Sequence, residues 1–149
     1  APTSVAGRLD LDSHITTLNG NRKNLWESAL RAFETNPSGG LGAGTFELWW
    51  NRDGRDPEFI RDAHSLYFEA LAELGWPGLL LVLLFVGALL ATTVVSRLRA
   101  TPRQRDSGAR LGAVAVVAVF LLSAGVDWMW ESTAVTALVL VVAGAAAVA

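Results

Sequence analysis

The stretch RDAHSLYFEALAELG, residues 61–75, decides how this chain folds. Asp62 is a favourable helix N-cap, because its carboxylate can accept a hydrogen bond from an unpaired amide of the first turn. His64 then falls in that turn, where the partial positive charge of the helix end disfavours an imidazolium. Apolar residues recur at helical spacing until Gly75, which precedes Trp-Pro and is a typical stop signal. An apolar run, residues 79–95, follows at once, so the stretch predicts a neutral histidine at a membrane surface.

Composition places the chain among membrane proteins rather than ordinary globular domains. Apolar residues make up 52% of the 149 positions, and they are concentrated in long runs. The chain has no cysteine, which excludes a disulfide framework and thiolate chemistry. It begins without methionine and ends inside an apolar run, so we expect a C-terminal fragment of a longer protein.

Charge placement predicts the topology. The segment 96–110 carries five arginines against one acid, and a short arginine-rich loop between spans is cytoplasmic by the positive-inside rule. The predicted fold is all-α, a multi-span helical membrane protein fragment with an extracytoplasmic helical loop segment. Its predicted parts are an extracytoplasmic segment with two amphipathic helices (1–78), a transmembrane helix (79–95), the cytoplasmic loop (96–110), a second transmembrane helix (111–126), an extracytoplasmic turn (127–133) and a truncated third transmembrane helix (134–149).

An amphipathic helix is predicted from Asn24 onwards, within the extracytoplasmic segment. Its apolar stripe follows the i, i+3, i+4, i+7 pattern: Trp26, Ala29, Leu30 and Phe33. An Asn-Pro pair ends it, and a glycine-rich connection, residues 39–46, comes next. No Gly-Lys-Ser/Thr follows those glycines, so the connection is a packing turn and not a phosphate loop.

The predicted topology puts His64 and the turn DWMWE, residues 127–131, on the same face of the membrane. Acids between two spans are costly unless they are solvated or paired. Asp127 and Glu131 either cap the turn at headgroup level, with the tryptophans as belt residues, or close one side of a site.

Five cations or titratable groups are candidates for chemistry. His64 is either a general base or a locally hydrogen-bonded residue. Arg22 and Lys23 stand at a helix start, where unpaired amides suit a phosphate or pyrophosphate, or they are solvated charges. Arg61 is a second phosphate contact or a surface ion pair. The role of His14 stays open.

The same residues do not predict a metal site or a nucleic-acid interface. Asp62 and Glu69 stand two and five positions from His64, so no base–orienter pair is predicted on one helix face. No histidine or carboxylate group has metal-ligand spacing, and the only basic block is a short juxtamembrane loop.

Several motifs together resemble the O-antigen ligase and O-antigen polymerase family of bacterial membrane glycosyltransferases, in the style of its actinobacterial members. In chain order these are NGNR (19–22), GAGTF (42–46), AHSLYFE (63–69) and DWMWE (127–131). The resemblance covers most of the chain and concerns the family's large extracytoplasmic loop and its last spans.

The resemblance implies transfer of a glycan from an undecaprenyl-pyrophosphate carrier to an acceptor hydroxyl at the outer face of the cell membrane. It implies no cofactor and no metal, and as partners a lipid-linked donor, a glycan or lipid acceptor and the membrane, but no nucleic acid. His64 falls at the family's catalytic histidine and Arg22 at its pyrophosphate-binding arginine, with Arg61 as a helper. Asp127 and Glu131 would bind sugar hydroxyls or orient the histidine.

Because the earlier spans would supply much of the lipid groove, this piece alone should be inactive. Two alternatives stay open. The protein could be a polysaccharide polymerase of the same family, or a non-enzymatic membrane protein whose outer segment serves binding or assembly.

Overall fold

The computed structural model describes residues 22–54, 60–102 and 108–148. Within these ranges the chain is helical and has no strand, which confirms the all-α prediction. The elements are α1 (22–35), α2 (Phe46–Asp53), α3 (Leu66–Arg99), α4 (Ala109–Ala124), a 3-10 turn (Met129–Glu131) and α5 (Thr133–Val148). His14 and the middle of the basic loop lie outside the described residues.

A small core forms where the segment before α3 packs against the start of α3. Its buried members come from α1, α2 and α3 and from the loop before α3: Leu25, Ala29, Ala32, Phe46, Trp49, Trp50, Ala63 and Ala72. The predicted stripe of α1 is wrong at Leu30, which is 41% exposed. The buried face is instead rotated towards Ser28, because the Oγ of Ser28 accepts a hydrogen bond from Nε1 of Trp49 at 3.1 Å.

Helix α2 was not predicted, and its first residues explain why. Thr45 precedes it but its side chain makes no capping bond. The cap comes from far along the chain, since the Glu73 carboxylate accepts from the backbone N–H of Phe46 at 2.9 Å and of Gly44 at 2.8 Å. Among the described residues up to 78, the structure therefore has three helical segments, α1, α2 and the start of α3, rather than the two amphipathic helices predicted.

Helix α3 consists of two arms that meet at Gly75, where φ is 66° and ψ −161°. Leu66, in the short arm (66–74), lines a cavity together with Leu89 of the long arm (76–99). A straight helix would separate these two residues by roughly 35 Å, so the chain folds back at Gly75. The backbone N–H of Trp76 donates to the carbonyl of Pro37 at 2.9 Å, which holds the turn against the loop after α1. The predicted stop signal is confirmed.

The long arm packs with α4 and α5 around Val117, Val139 and Ala143. By length and composition, α3 is the one helix in the described ranges that could cross a membrane, while α4 and α5 are apolar but shorter. Many apolar side chains on the long arm face outwards, such as Leu81, which is 67% exposed. This surface is unlike the core helix of a soluble protein. The predicted spans coincide with these three helices, and their crossing of a bilayer remains a prediction.

Candidate active site

The loop before α3 places the histidine, and it does so differently from the prediction. Ser65 is the N-cap of α3, with its Oγ accepting from the N–H of Phe68 at 3.5 Å. Asp62 is not the cap, because Oδ1 of its carboxylate accepts from the backbone N–H of His64 at 3.0 Å. His64 therefore lies before the helix and not in its first turn, and its φ is 53°.

The ring of His64 is paired with Asp62, a contact that helical spacing did not predict. Nδ1 of His64 lies 2.8 Å from Oδ1 of Asp62. This hydrogen bond raises the pKa of His64 above its usual value, so the expectation of a helix end that disfavours the imidazolium is wrong. Burial would raise the pKa of Asp62, but the bonds from His64 outweigh it and that pKa is lowered.

Two more carboxylates lie beside this pair. Oε2 of Glu69 accepts from the backbone N–H of Ala63 at 3.0 Å. Burial, with neighbouring acids, raises the pKa of Glu69 to about 8 and also raises the pKa of Glu131. Glu69 is therefore mostly protonated at neutral pH.

The fold thus forms a carboxylate group that sequence spacing did not predict. Oxygens of Asp62, Glu69 and Glu131 lie within 4.8 Å of one another, close enough for one cation to touch all three. Asp62 and Glu69 already accept hydrogen bonds from protein groups. These bonds account for their positions without a metal.

Arg22, at the start of α1, reaches the turn between α4 and α5. Its Nη2 lies 3.9 Å from Oδ2 of Asp127, and both side chains are 41% exposed. Asp127 is also one of the charges that raise the pKa of His64. The guanidinium of Arg22 therefore pairs with a carboxylate whose charge also acts on the imidazole of His64, although α1 and α2 lie between Arg22 and His64 along the chain.

The other two predicted cations are directed elsewhere. Nε of Arg61 lies 3.8 Å from Oε2 of Glu47, and the Arg61 side chain is 79% exposed. Lys23 pairs with Glu27 one turn along α1, at 3.7 Å. The contact of Arg61 matches its surface ion-pair alternative, and Lys23, at 76% exposure, matches its alternative of a solvated charge. Exposed ion pairs of this kind contribute little to stability.

An apolar cavity adjoins the histidine loop. Its volume is about 200 Å³, and its walls come from Leu66, the long arm of α3, α4, α5 and Trp130. The buried indole Nε1 of Trp130 has no hydrogen-bond partner among the described residues. The cavity is therefore lined almost entirely by apolar side chains, with the polar residue Thr136 among them.

Sequence reasoning missed Asp62 and Glu69 as parts of the site. For Asp62 a local signal existed, because an aspartate readily bonds to the amide two residues on and supports a turn there. For Glu69, and for the pairing of Arg22 with Asp127, the contacts depend on the tertiary fold.

Comparison with known proteins identifies the family of the chain. The sequence model of the family described as O-antigen ligase matches residues 5–83, slightly more than half of the chain, including Arg22, the glycine-rich connection and His64. No curated protein and no solved structure matched the chain. The family match confirms the resemblance drawn from the motifs, and the chain belongs to the O-antigen ligase family.

Proposed function

We propose that the full-length protein transfers a glycan from a polyprenyl-pyrophosphate carrier to an acceptor hydroxyl at the extracytoplasmic face of the membrane. His64 removes the proton of the hydroxyl as its oxygen attacks the anomeric carbon. The bond from that carbon to the pyrophosphate breaks, and the pyrophosphate leaves with the electron pair. The step inverts the configuration and uses no metal.

The cationic side of the proposed site is Arg22. Charge grows on the bridging oxygen as the pyrophosphate departs, and a fixed guanidinium stabilises it. The pairing of Arg22 with Asp127 brings this cation beside the turn between α4 and α5. Asp127 and Glu131 take the remaining role, hydrogen bonding to sugar hydroxyls or orienting the imidazole.

The observation that carries the proposal is that one carboxylate links two groups that are far apart in sequence. Arg22 pairs with Asp127, and the charge of Asp127 acts on His64. A base and a cation near one another are what a transfer from pyrophosphate requires, since one end of the reaction loses a proton and the other gains negative charge. The adjoining apolar cavity suits the polyprenyl chain of the same donor.

The test uses cells that depend on the full-length protein for glycan transfer. His64→Ala and Arg22→Ala should each cause lipid-linked glycan to accumulate and transferred glycan to fall. Lys23→Ala is the matched control, because it removes the neighbouring cation, which pairs with Glu27 instead. Normal transfer by His64→Ala, at normal protein level, would end the assignment of the base.

A further inference from the structure

We propose that Asp62 is the positioning residue of the site, holding the His64 ring with its proton on Nδ1 and its lone pair on Nε2. This inference rests on the proposed function, because it assigns the atom that acts as base. It adds a residue that neither the motifs nor the family match identifies.

The assignment of the proton follows from what surrounds Nδ1. Nδ1 lies 2.8 Å from Oδ1 of Asp62 and 3.3 Å from the backbone carbonyl of the same residue. A carboxylate oxygen and a carbonyl oxygen are both acceptors, so Nδ1 must be the donor. In the neutral imidazole the other nitrogen, Nε2, then carries the lone pair and is the basic atom.

The backbone supports the same geometry. His64 has a left-handed φ of 53°, which is uncommon outside glycine and typical of strained functional positions. One carboxylate oxygen of Asp62 accepts from the His64 amide at 3.0 Å and contacts its ring at 2.8 Å. Asp62 therefore fixes both the main chain and the side chain of the histidine, while Glu69 fixes Ala63 between them.

The pairing of His64 with Asp62 also stabilises the positive charge that the ring gains during the reaction. When Nε2 takes the acceptor proton the ring becomes an imidazolium, and the Asp62 carboxylate at Nδ1 stabilises it. The other described charges that act on His64 come from the turn between α4 and α5, where Asp127 raises its pKa. Glu131 of the same turn interacts with His64 as well, and Arg61 interacts with Asp62.

Asp62→Asn in the full-length protein is the first test, assayed for glycan transfer with a synthetic polyprenyl-pyrophosphate glycan. The amide keeps the shape but removes the charge and can hold the wrong tautomer. We expect kcat to fall by about 10²–10⁴-fold with KM for the donor little changed. The acid limb of the pH–rate profile should move to lower pH, because the partner that raises the pKa of His64 is gone. Asp62→Glu should recover part of the rate.

The matched control is Asp53→Asn, which removes an acid paired with Arg52 at the end of α2. It should leave both kcat and the pH profile as in the wild type. Unchanged kcat and an unmoved acid limb in Asp62→Asn would overturn the proposal.

A second measurement needs no variant at Asp62. The ¹⁵N shifts of the His64 ring, assigned by their loss in His64→Gln, should show protonated Nδ1 and unprotonated Nε2 above the pKa. The opposite tautomer overturns the inference. If the proposed function itself is wrong, His64→Ala remains active whatever the result for Asp62→Asn. The failure of the proposed function can therefore be distinguished from the failure of this inference.

Discussion

Replacing Gly75 by alanine should destabilise the fold far more than an ordinary glycine substitution in a helix. Gly75 has φ 66° and ψ −161°, a region that only glycine occupies without strain, at a cost of about 1–3 kcal/mol for other residues. A Cβ there would lie 2.4 Å from the carbonyl oxygen of Pro37. The backbone must shift, and the Trp76 N–H to Pro37 bond, worth about 0.5–1.5 kcal/mol, is lost or weakened.

Together these terms give a loss of about 2–4 kcal/mol, a large part of the stability of a typical domain. The assay is thermal unfolding of the full-length protein in detergent, followed by tryptophan fluorescence. Two other glycines provide graded controls. Gly44 has φ 71° but open space around its Cβ position, and Gly87 lies in α3 with open space and no positive φ.

Gly44→Ala should cost about 1–2 kcal/mol from backbone strain alone. Gly87→Ala should be neutral or stabilise by up to about 1 kcal/mol. Equal melting temperatures for Gly75→Ala and Gly87→Ala would refute the claim that the chain folds back at Gly75.

Three further substitutions test single contacts by the same unfolding assay. Burial raises the pKa of Glu69 to about 8 in the folded state, so the fold is most stable while this carboxyl is protonated, and that stability is lost as the pH rises from the usual pKa of 4.5 through 8. Glu69→Gln should have the same melting temperature as the wild type at about pH 5 and a higher one at about pH 9. The same difference from the wild type at both pH values would contradict the burial of a protonated acid. Glu73→Gln should cost about 1–3 kcal/mol, because the charged acceptor for the N–H groups of Gly44 and Phe46 is lost, and an unchanged melting temperature argues against this cap. Tyr67→Phe should cost about 1 kcal/mol through the bond from its hydroxyl to a backbone carbonyl of α4 at 3.1 Å, and a more stable variant would show that this bond is not formed.

The parts of the fold that local sequence determines were predictable. Gly75 before Trp-Pro predicted the end of a helix, since a positive φ is tolerated there by glycine, and Pro77 fits in the first turn of the following arm. The apolar runs predicted the positions of the long arm, α4 and α5. Their transmembrane arrangement, and the sides of the membrane assigned to the connecting segments, stay predictions.

The parts that depend on tertiary contacts were not predictable in the same way. Helix α2 begins where it does because Glu73, from another helix, accepts its first amides. The sequence predicted Asp62 as a helix cap. Its carboxylate instead accepts from the backbone amide of His64 and contacts the His64 ring, and Ser65 caps α3. Helical spacing argued against a base–orienter pair only because it assumed that His64 lay inside the helix.

The sequence predicted which residues belong to the candidate site better than it predicted the contacts between them. The motifs identified Arg22, His64 and Asp127, and the charge pattern placed the last two on one face. The ion pair of Arg22 with Asp127 joins a helix start to a turn more than a hundred residues away. This ion pair depends on how the helices pack together, which local sequence does not determine.

The most direct test of the central claim separates donor binding from transfer in the purified full-length protein. Affinity for a polyprenyl-pyrophosphate glycan and the single-turnover rate are measured together for two variants. The account predicts that Arg22→Ala weakens donor binding, and that His64→Ala binds the donor like the wild type but transfers almost none of it. Wild-type transfer by His64→Ala would contradict it, as would donor binding that does not depend on Arg22.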